Sequence, residues 1–280
     1  MTIREIIRQG FHYARTCKSL WLFGFFVGLS GGGSGGGSGG GQRGTGGGGG
    51  FPFPLSAAEI GLIVAAISLV IVGALVIRFI SEGALIEGVA RARGGGRMTT
   101  GEGFRAGLAH WGVLLRIAVI YVAVTIASLA LLGAPAIIAL RAIGPLAGLA
   151  LAVPALVVAV PWLVTIFLVQ AFASRIAVLE NRRALDAIAK ARLFLHGRLR
   201  HGLRLIAAAF AGTLAIGGLG LAALAPVALL VVVLIRLLPV VPVIVVGCLV
   251  LLPAIAVLTA VAGTFRSSIW TIGYVTQIES

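Results

Sequence analysis

Residues 111–172 read WGVLLRIAVIYVAVTIASLALLGAPAIIALRAIGPLAGLALAVPALVVAVPWLVTIFLVQAF. Of the 60 residues between Trp111 and Phe172, only Arg116 and Arg141 carry charge, and a run that long holds two apolar spans of roughly 20 residues with a short turn between them. The pattern returns between Leu205 and Phe265, where the only charge is Arg236, and in shorter form at Ile60–Ile77, which has none and ends at Arg78 and Glu82. These runs predict five membrane helices. A sixth candidate, Leu20–Leu29, is too short alone, because ten helical residues rise about 15 Å against a hydrocarbon core of about 30 Å. A start near Phe11 completes it, with Arg15 and Lys18 snorkelling to the headgroups. A cleaved signal peptide has the same order of basic, apolar and small residues. The lead-in favours a retained helix with an intact N-terminus, since Ile3, Ile6, Ile7, Phe11 and Ala14 share one face opposite Arg4, Glu5, Arg8 and Arg15.

Composition agrees. The 280 residues are 59% hydrophobic and 11% charged, with a mean hydropathy of +1.12, whereas soluble domains carry about 25% charged residues. The expected fold is all-α, a polytopic membrane helix bundle of six transmembrane helices forming one integral membrane domain over residues 1–280.

Basic residues then set the orientation, because Lys and Arg stay on the cytoplasmic side. All but Arg43, Arg141 and Arg236 of the 22 basic residues precede span one, lie between spans two and three or four and five, or follow span six. Both termini and the connections 82–110 and 175–201 are therefore expected in the cytoplasm, and the glycine-rich stretch 31–50 outside as a flexible loop. The net charge of +14 is thus accounted for by topology rather than by nucleic acid. Only Lys18 and Lys190 are lysines, and the Ala- and Gly-rich, Arg-rich composition suggests a bacterial plasma membrane. Cys17 and Cys248 are not expected to form a disulfide.

A repeat of about 93 residues runs through the chain. Phe79-Ile-Ser81, Phe172-Ala-Ser174 and Phe265-Arg-Ser267 close spans two, four and six, and Pro52, Pro145 and Pro239 precede the returning spans at similar intervals. The unit is an amphipathic cytoplasmic elbow, an outgoing helix and a returning helix, used three times in parallel. The three serines are expected to bond backbone groups near the elbows. In the second connection Ala184, Ala187, Ile188, Ala191, Phe194 and Leu195 gather on one helical face, with Asp186 and Lys190 at i, i+4 on the other. Gly24-x-x-x-Gly28 and the stripe Ala207, Ala211, Ala215 are expected to let helices approach closely.

No catalytic constellation is legible. The eight carboxylates lie outside the span interiors, and Glu82 and Glu87 read as surface partners of Arg78 and Arg91. His196 and His201 sit among arginines, an unfavourable field for a metal. Gly28-Leu29-Ser30-Gly31-Gly32 matches a nucleophile elbow only in letters, since all four histidines fall on the other side of the membrane. The glycine-rich stretch lacks the Lys-Ser/Thr of a phosphate loop. Neither a cofactor nor a metal is expected. The polar span residues Ser68, Thr125, Ser128, Thr165, Gln170, Thr213 and Thr259 read mostly as bonding to their own helix, and Pro154, Pro161 and Pro253 as kinks.

The stretch Pro161–Leu195, with Val178-Leu179-Glu180 followed by Ala184-Leu185, resembles the connection after span four in the bacterial six-helix membrane domain found with some glycerophosphodiester phosphodiesterases and also alone. SLWLFGFF at Ser19–Phe26 and FRSSIWTIGY at Phe265–Tyr274 are similar to stand-alone members. The resemblance implies a six-helix membrane fold and no phosphodiesterase activity. The expected function is a non-catalytic integral membrane protein that organises lipid or a partner at the cytoplasmic face, through anionic-lipid contacts at Arg182, Arg183, Arg198, Arg200 and Arg204. The alternative is a transporter or permease for an apolar or lipid-like solute, for which the prolines of spans four and six would line a water-filled cavity.

Overall fold

In a lipid interior a chain this apolar must satisfy its backbone polar groups internally, which helices do. The computed structural model describes residues 3–16, 20–31, 57–96, 98–196, 199–237 and 240–278, and every regular element among them is an α-helix. In chain order these are α1 (Ile3–Thr16), α2 (Trp21–Gly31), α3 (Ala57–Arg93), α4 (Thr100–Ala142), α5 (Pro145–Leu179), α6 (Ala184–Leu195), α7 (Leu199–Leu237) and α8 (Val240–Ile278). Five of them, α3, α4, α5, α7 and α8, are long and apolar enough to cross a membrane. The protein is a multi-pass membrane protein.

The expected helix starting near Phe11 passes through residues 17–19, which lie outside the described residues, and on either side of them α1 and α2 are described. The amphipathic α1 ends at Thr16, and α2 is a helix of 11 residues, about 16 Å long. Both dock on α8. Gly10 of α1 lets Phe265 and Ile269 approach, and Gly24 and Gly28 of α2 face Thr264 and Thr259. Most of the glycine-rich stretch lies outside the described residues, as do Pro52, Pro239 and Arg198.

Among the described residues the first connection contains no helix of its own. Instead α3 runs on to Arg93 and α4 begins at Thr100. Thr99 caps α4 by accepting from the Glu102 amide, while the Glu102 carboxylate accepts from the Thr99 amide at 2.9 Å. Such caps contribute about 1 kcal/mol. At the opposite end α4 turns directly into α5 through Gly144, whose φ of 128° suits glycine. Pro145 stands in the first turn of α5, where a missing amide donor costs nothing.

The packed core lies toward one end of the helices. Phe79, Ile80, Leu85, Ile86 and Val89 of α3 are buried, whereas every residue from 61 to 75 is exposed. Phe172 and Ile176 of α5 and Phe265, Ile269 and Trp270 of α8 are buried at the same end. The exposed ends are apolar and suit contact with acyl chains. Small residues admit the closest crossings, as where Gly83 of α3 meets Gly107 of α4. The alanine stripe behaves otherwise: Ala207, Ala211 and Ala215 are exposed, while Gly212 and Gly220 of α7 accept Phe265 and Leu258 of α8. An approaching side chain needs space that glycine leaves and alanine does not.

Span polar groups turn back on their own helices. Ser68, Ser128, Thr165, Thr213 and Thr259 each donate to a carbonyl one turn earlier, which satisfies those hydroxyls within their own helices. Helices α5 and α8 run unbroken through Pro154, Pro161 and Pro253.

Candidate functional site

Helices α3, α5 and α8 contact one another, and where they meet they enclose a cleft of about 210 Å³. Helical periodicity puts its polar groups on single faces. Arg78 and Glu82 come from α3, one turn apart. Gln170, Ser174 and Arg175 come from α5, and Arg266 and Ser267 from α8. Val27 of α2, Phe167 and Trp270 supply an apolar wall. Each arginine is the first charged residue after a long uncharged run in its helix: 60–77, 145–174 and 240–265.

Arg175 is the most constrained member. It is 6% exposed, donates through Nη1 to the Ala171 carbonyl at 2.6 Å, and lies 5.8 Å from the centre of the Trp270 ring. Its buried Nε has no hydrogen-bond partner among the described residues. The field of Glu82 reaches both Arg175 and Arg266. Three guanidinium groups against one carboxylate leave the cleft cationic. The arrangement can hold an anion beside an apolar group. Among the described residues, no three His, Cys, Asp or Glu side chains come together as a metal-ligand group.

Of the three Phe-x-Ser segments, Ser174 and Arg266-Ser267 line the cleft, whereas Phe79 and Ser81 do not. Phe79, Phe172, Phe265, Ser81, Ser174 and Ser267 are all buried. Ser174 donates to the Gln170 carbonyl of its own helix at 2.9 Å, so its bond turns back into α5 and not forward into the elbow.

Beside the cleft, Glu180 joins α5, α6 and α8. Its carboxylate accepts from Lys190 Nζ at 2.6 and 2.7 Å, from the Tyr274 hydroxyl at 2.7 Å and from Arg182 Nε at 3.0 Å. Burial opposes its ionisation, but the bonds from Lys190, Tyr274 and Arg182 outweigh burial and hold the carboxyl below its usual range. Lys190 therefore serves Glu180 in place of the expected Asp186. The apolar face of α6 docks as its spacing predicts, burying Ala184, Ala187, Ile188, Ala191 and Leu195. Phe194 and Phe172 meet Tyr274 at 5.5 and 6.2 Å between ring centres. The Glu87–Arg91 pair forms as expected, whereas Glu82 faces the cleft.

Comparison with family models, with curated proteins and with solved structures finds no match in any of the three. The residues themselves must carry the functional reading.

The expected lipid contacts and the cleft are different sets. Arg182 and Arg183 stand together before α6 and are exposed, as is Arg204 on α7; Arg200 is helical. None of these lines the cleft. Arg78, Arg175, Arg266 and Gln170 were legible only as orientation charges, a surface pair and a span amide. The sequence signal at the cleft is local, since Arg78, Arg175 and Arg266 all adjoin or lie within a Phe-x-Ser triplet.

Proposed function

We propose that this chain is a non-catalytic membrane protein that holds anionic lipid at the cytoplasmic face of a six-span bundle. The observation that carries the reading is the cationic cleft, set where three uncharged helical runs end. Exposed Arg182, Arg183 and Arg204, with Arg198 and Arg200 in the same basic connection, add attraction to an anionic leaflet worth about 1 kcal/mol each. In this reading α2 is the first outgoing helix and the glycine-rich stretch replaces its second half. The hairpins α2–α3, α4–α5 and α7–α8 form a threefold parallel repeat whose returning helices meet at the cleft. This architecture is in keeping with the resemblance to the six-helix membrane domain. The membrane is a bacterial plasma membrane, with both termini cytoplasmic. Unbroken α5 and α8, and a cleft with no proline in its lining, favour a holding role over transport.

Native mass spectrometry of protein purified from membranes containing phosphatidylglycerol and phosphatidylethanolamine tests the function. Retention of the anionic lipid should exceed that of the zwitterionic lipid by about tenfold or more, as two or more arginines at about 1 kcal/mol each imply. Equal retention would overturn the proposal. Sidedness has its own check, in a background with both native cysteines replaced by serine. A cysteine at Ile143 should react with an impermeant maleimide added to intact cells, and one at Arg183 should not. The reverse pattern would invert the topology.

A further inference from the structure

We propose that the cleft between α3, α5 and α8 is a one-molecule site for a phosphate monoester, whose double negative charge matches the cleft's own charge. The inference rests on the reading that this cleft faces anionic lipid, and it names the headgroup chemistry. Among the side chains that line the cleft, three arginines stand against the one carboxylate of Glu82, an excess of two positive charges in the lining. A phosphate monoester carries up to two negative charges near neutral pH, whereas a diester carries one and would leave the site half compensated.

Geometry supports the same occupant. All three cations are arginines, whose planar forks bind phosphate oxygens in pairs. Arg175 is buried with Nε unpartnered among the described residues, and a buried donor without an acceptor is costly. A phosphate oxygen in the cleft would supply that acceptor. Gln170 and Ser267 add further polar groups to the lining. The volume of about 210 Å³ falls below the roughly 300–1,000 Å³ of sites that engulf a drug-sized ligand. A headgroup fits, and the rest of an amphiphile would leave along the apolar wall of Val27, Phe167 and Trp270.

The test uses the full chain in detergent, titrated with phosphatidate, phosphatidylglycerol, phosphatidylcholine and soluble glycerol 3-phosphate, and read by native mass spectrometry. Phosphatidate should bind one per chain and at least about tenfold more tightly than phosphatidylglycerol, a gap of about 1.4 kcal/mol. Arg175→Gln should remove that preference. Glu82→Gln should strengthen phosphatidate binding, an outcome that loss of structure would not produce. Glycerol 3-phosphate competing as strongly as phosphatidate would support the phosphate-monoester site and assign it to a soluble ester; failure to compete, with phosphatidate bound, would assign it to the lipid. Equal binding of phosphatidate and phosphatidylglycerol would overturn this inference while leaving the anionic-lipid function standing. Binding of phosphatidylcholine as tight as either would overturn both.

Discussion

Gly263→Ala is expected to lower stability by about 3 kcal/mol, at the upper end of overpacking costs, and to release α2 from α8. A Cβ on Gly263 would lie 2.1 Å from the Gly24 carbonyl oxygen and 3.0 Å from the Gly28 amide nitrogen. Both obstacles are backbone, so no rotamer change relieves them and the helices must separate. Separation removes neighbouring contacts too, because Gly24 and Gly28 would meet the Ala260 and Thr259 carbonyls at 2.4 Å if they carried side chains. Thr264 spans the same crossing with a long 3.4 Å bond to the Leu20 carbonyl. Gly73→Ala is the control, since nothing lies within 4 Å of the added carbon, and alanine in a helix is favoured over glycine by about 1 kcal/mol. Thermal unfolding in detergent should therefore move in opposite directions for the two variants. Equal melting of Gly263→Ala and the parent would show that α2 does not pack on α8 through these glycines.

Removing the charge at Glu180 should have the next largest effect. Glu180→Gln deprives Lys190, Tyr274 and Arg182 of a shared acceptor, and hydrogen bonds to charged groups contribute about 1.5–3 kcal/mol. Lys190 and Arg182 are 43% and 49% exposed, so solvent screening reduces the expected loss to about 1–2 kcal/mol. The pH dependence follows from the depressed carboxyl pKa. A group held below its unfolded value of about 4.3 stabilises the fold fully above that value and ceases to do so as pH falls through the folded value. The gap in melting temperature between parent and Glu180→Gln should accordingly be constant from pH 7 down to about 5, then close on further acidification. Tyr274→Phe removes one neutral donor and leaves the charge, so its deficit should be smaller. A gap that stays open below the carboxylate range would mean that Glu180 acts by shape and not by charge.

Much of the architecture was legible before any coordinates. Uncharged runs of 18 or more residues cannot form a soluble surface, and their lengths predict five of the long helices directly. The face of α6 was equally legible, because Ala184, Ala187, Ile188 and Ala191 follow the helical period and only one face of an interfacial helix can bury. Backbone satisfaction by Ser68, Ser128, Thr165, Thr213 and Thr259 is a local property, and local properties survive any packing. The docking of α1 and α2 on α8 was less legible, since hydropathy does not reveal which helix another packs against.

What the amino-acid sequence by itself determined is therefore the part that depends on neighbours within a turn or two: the helical class, the long apolar helices and the buried face of α6. Tertiary structure decided which of those features meet. Lys190 stands four residues from Asp186, yet binds Glu180 ten residues away because the turn at Asn181, with φ at 50°, folds α6 back along α5. Arg78, Arg175 and Arg266 look like three separate orientation charges, and they share one cleft because α3, α5 and α8 cross at their ends. Gly24 and Gly263 lie at opposite ends of the chain, and their contact depends on helix placement that no short-range pattern encodes. Helix formation is governed by backbone bonds four residues apart, whereas the charge of a site is the sum over groups that only packing brings within Coulomb range.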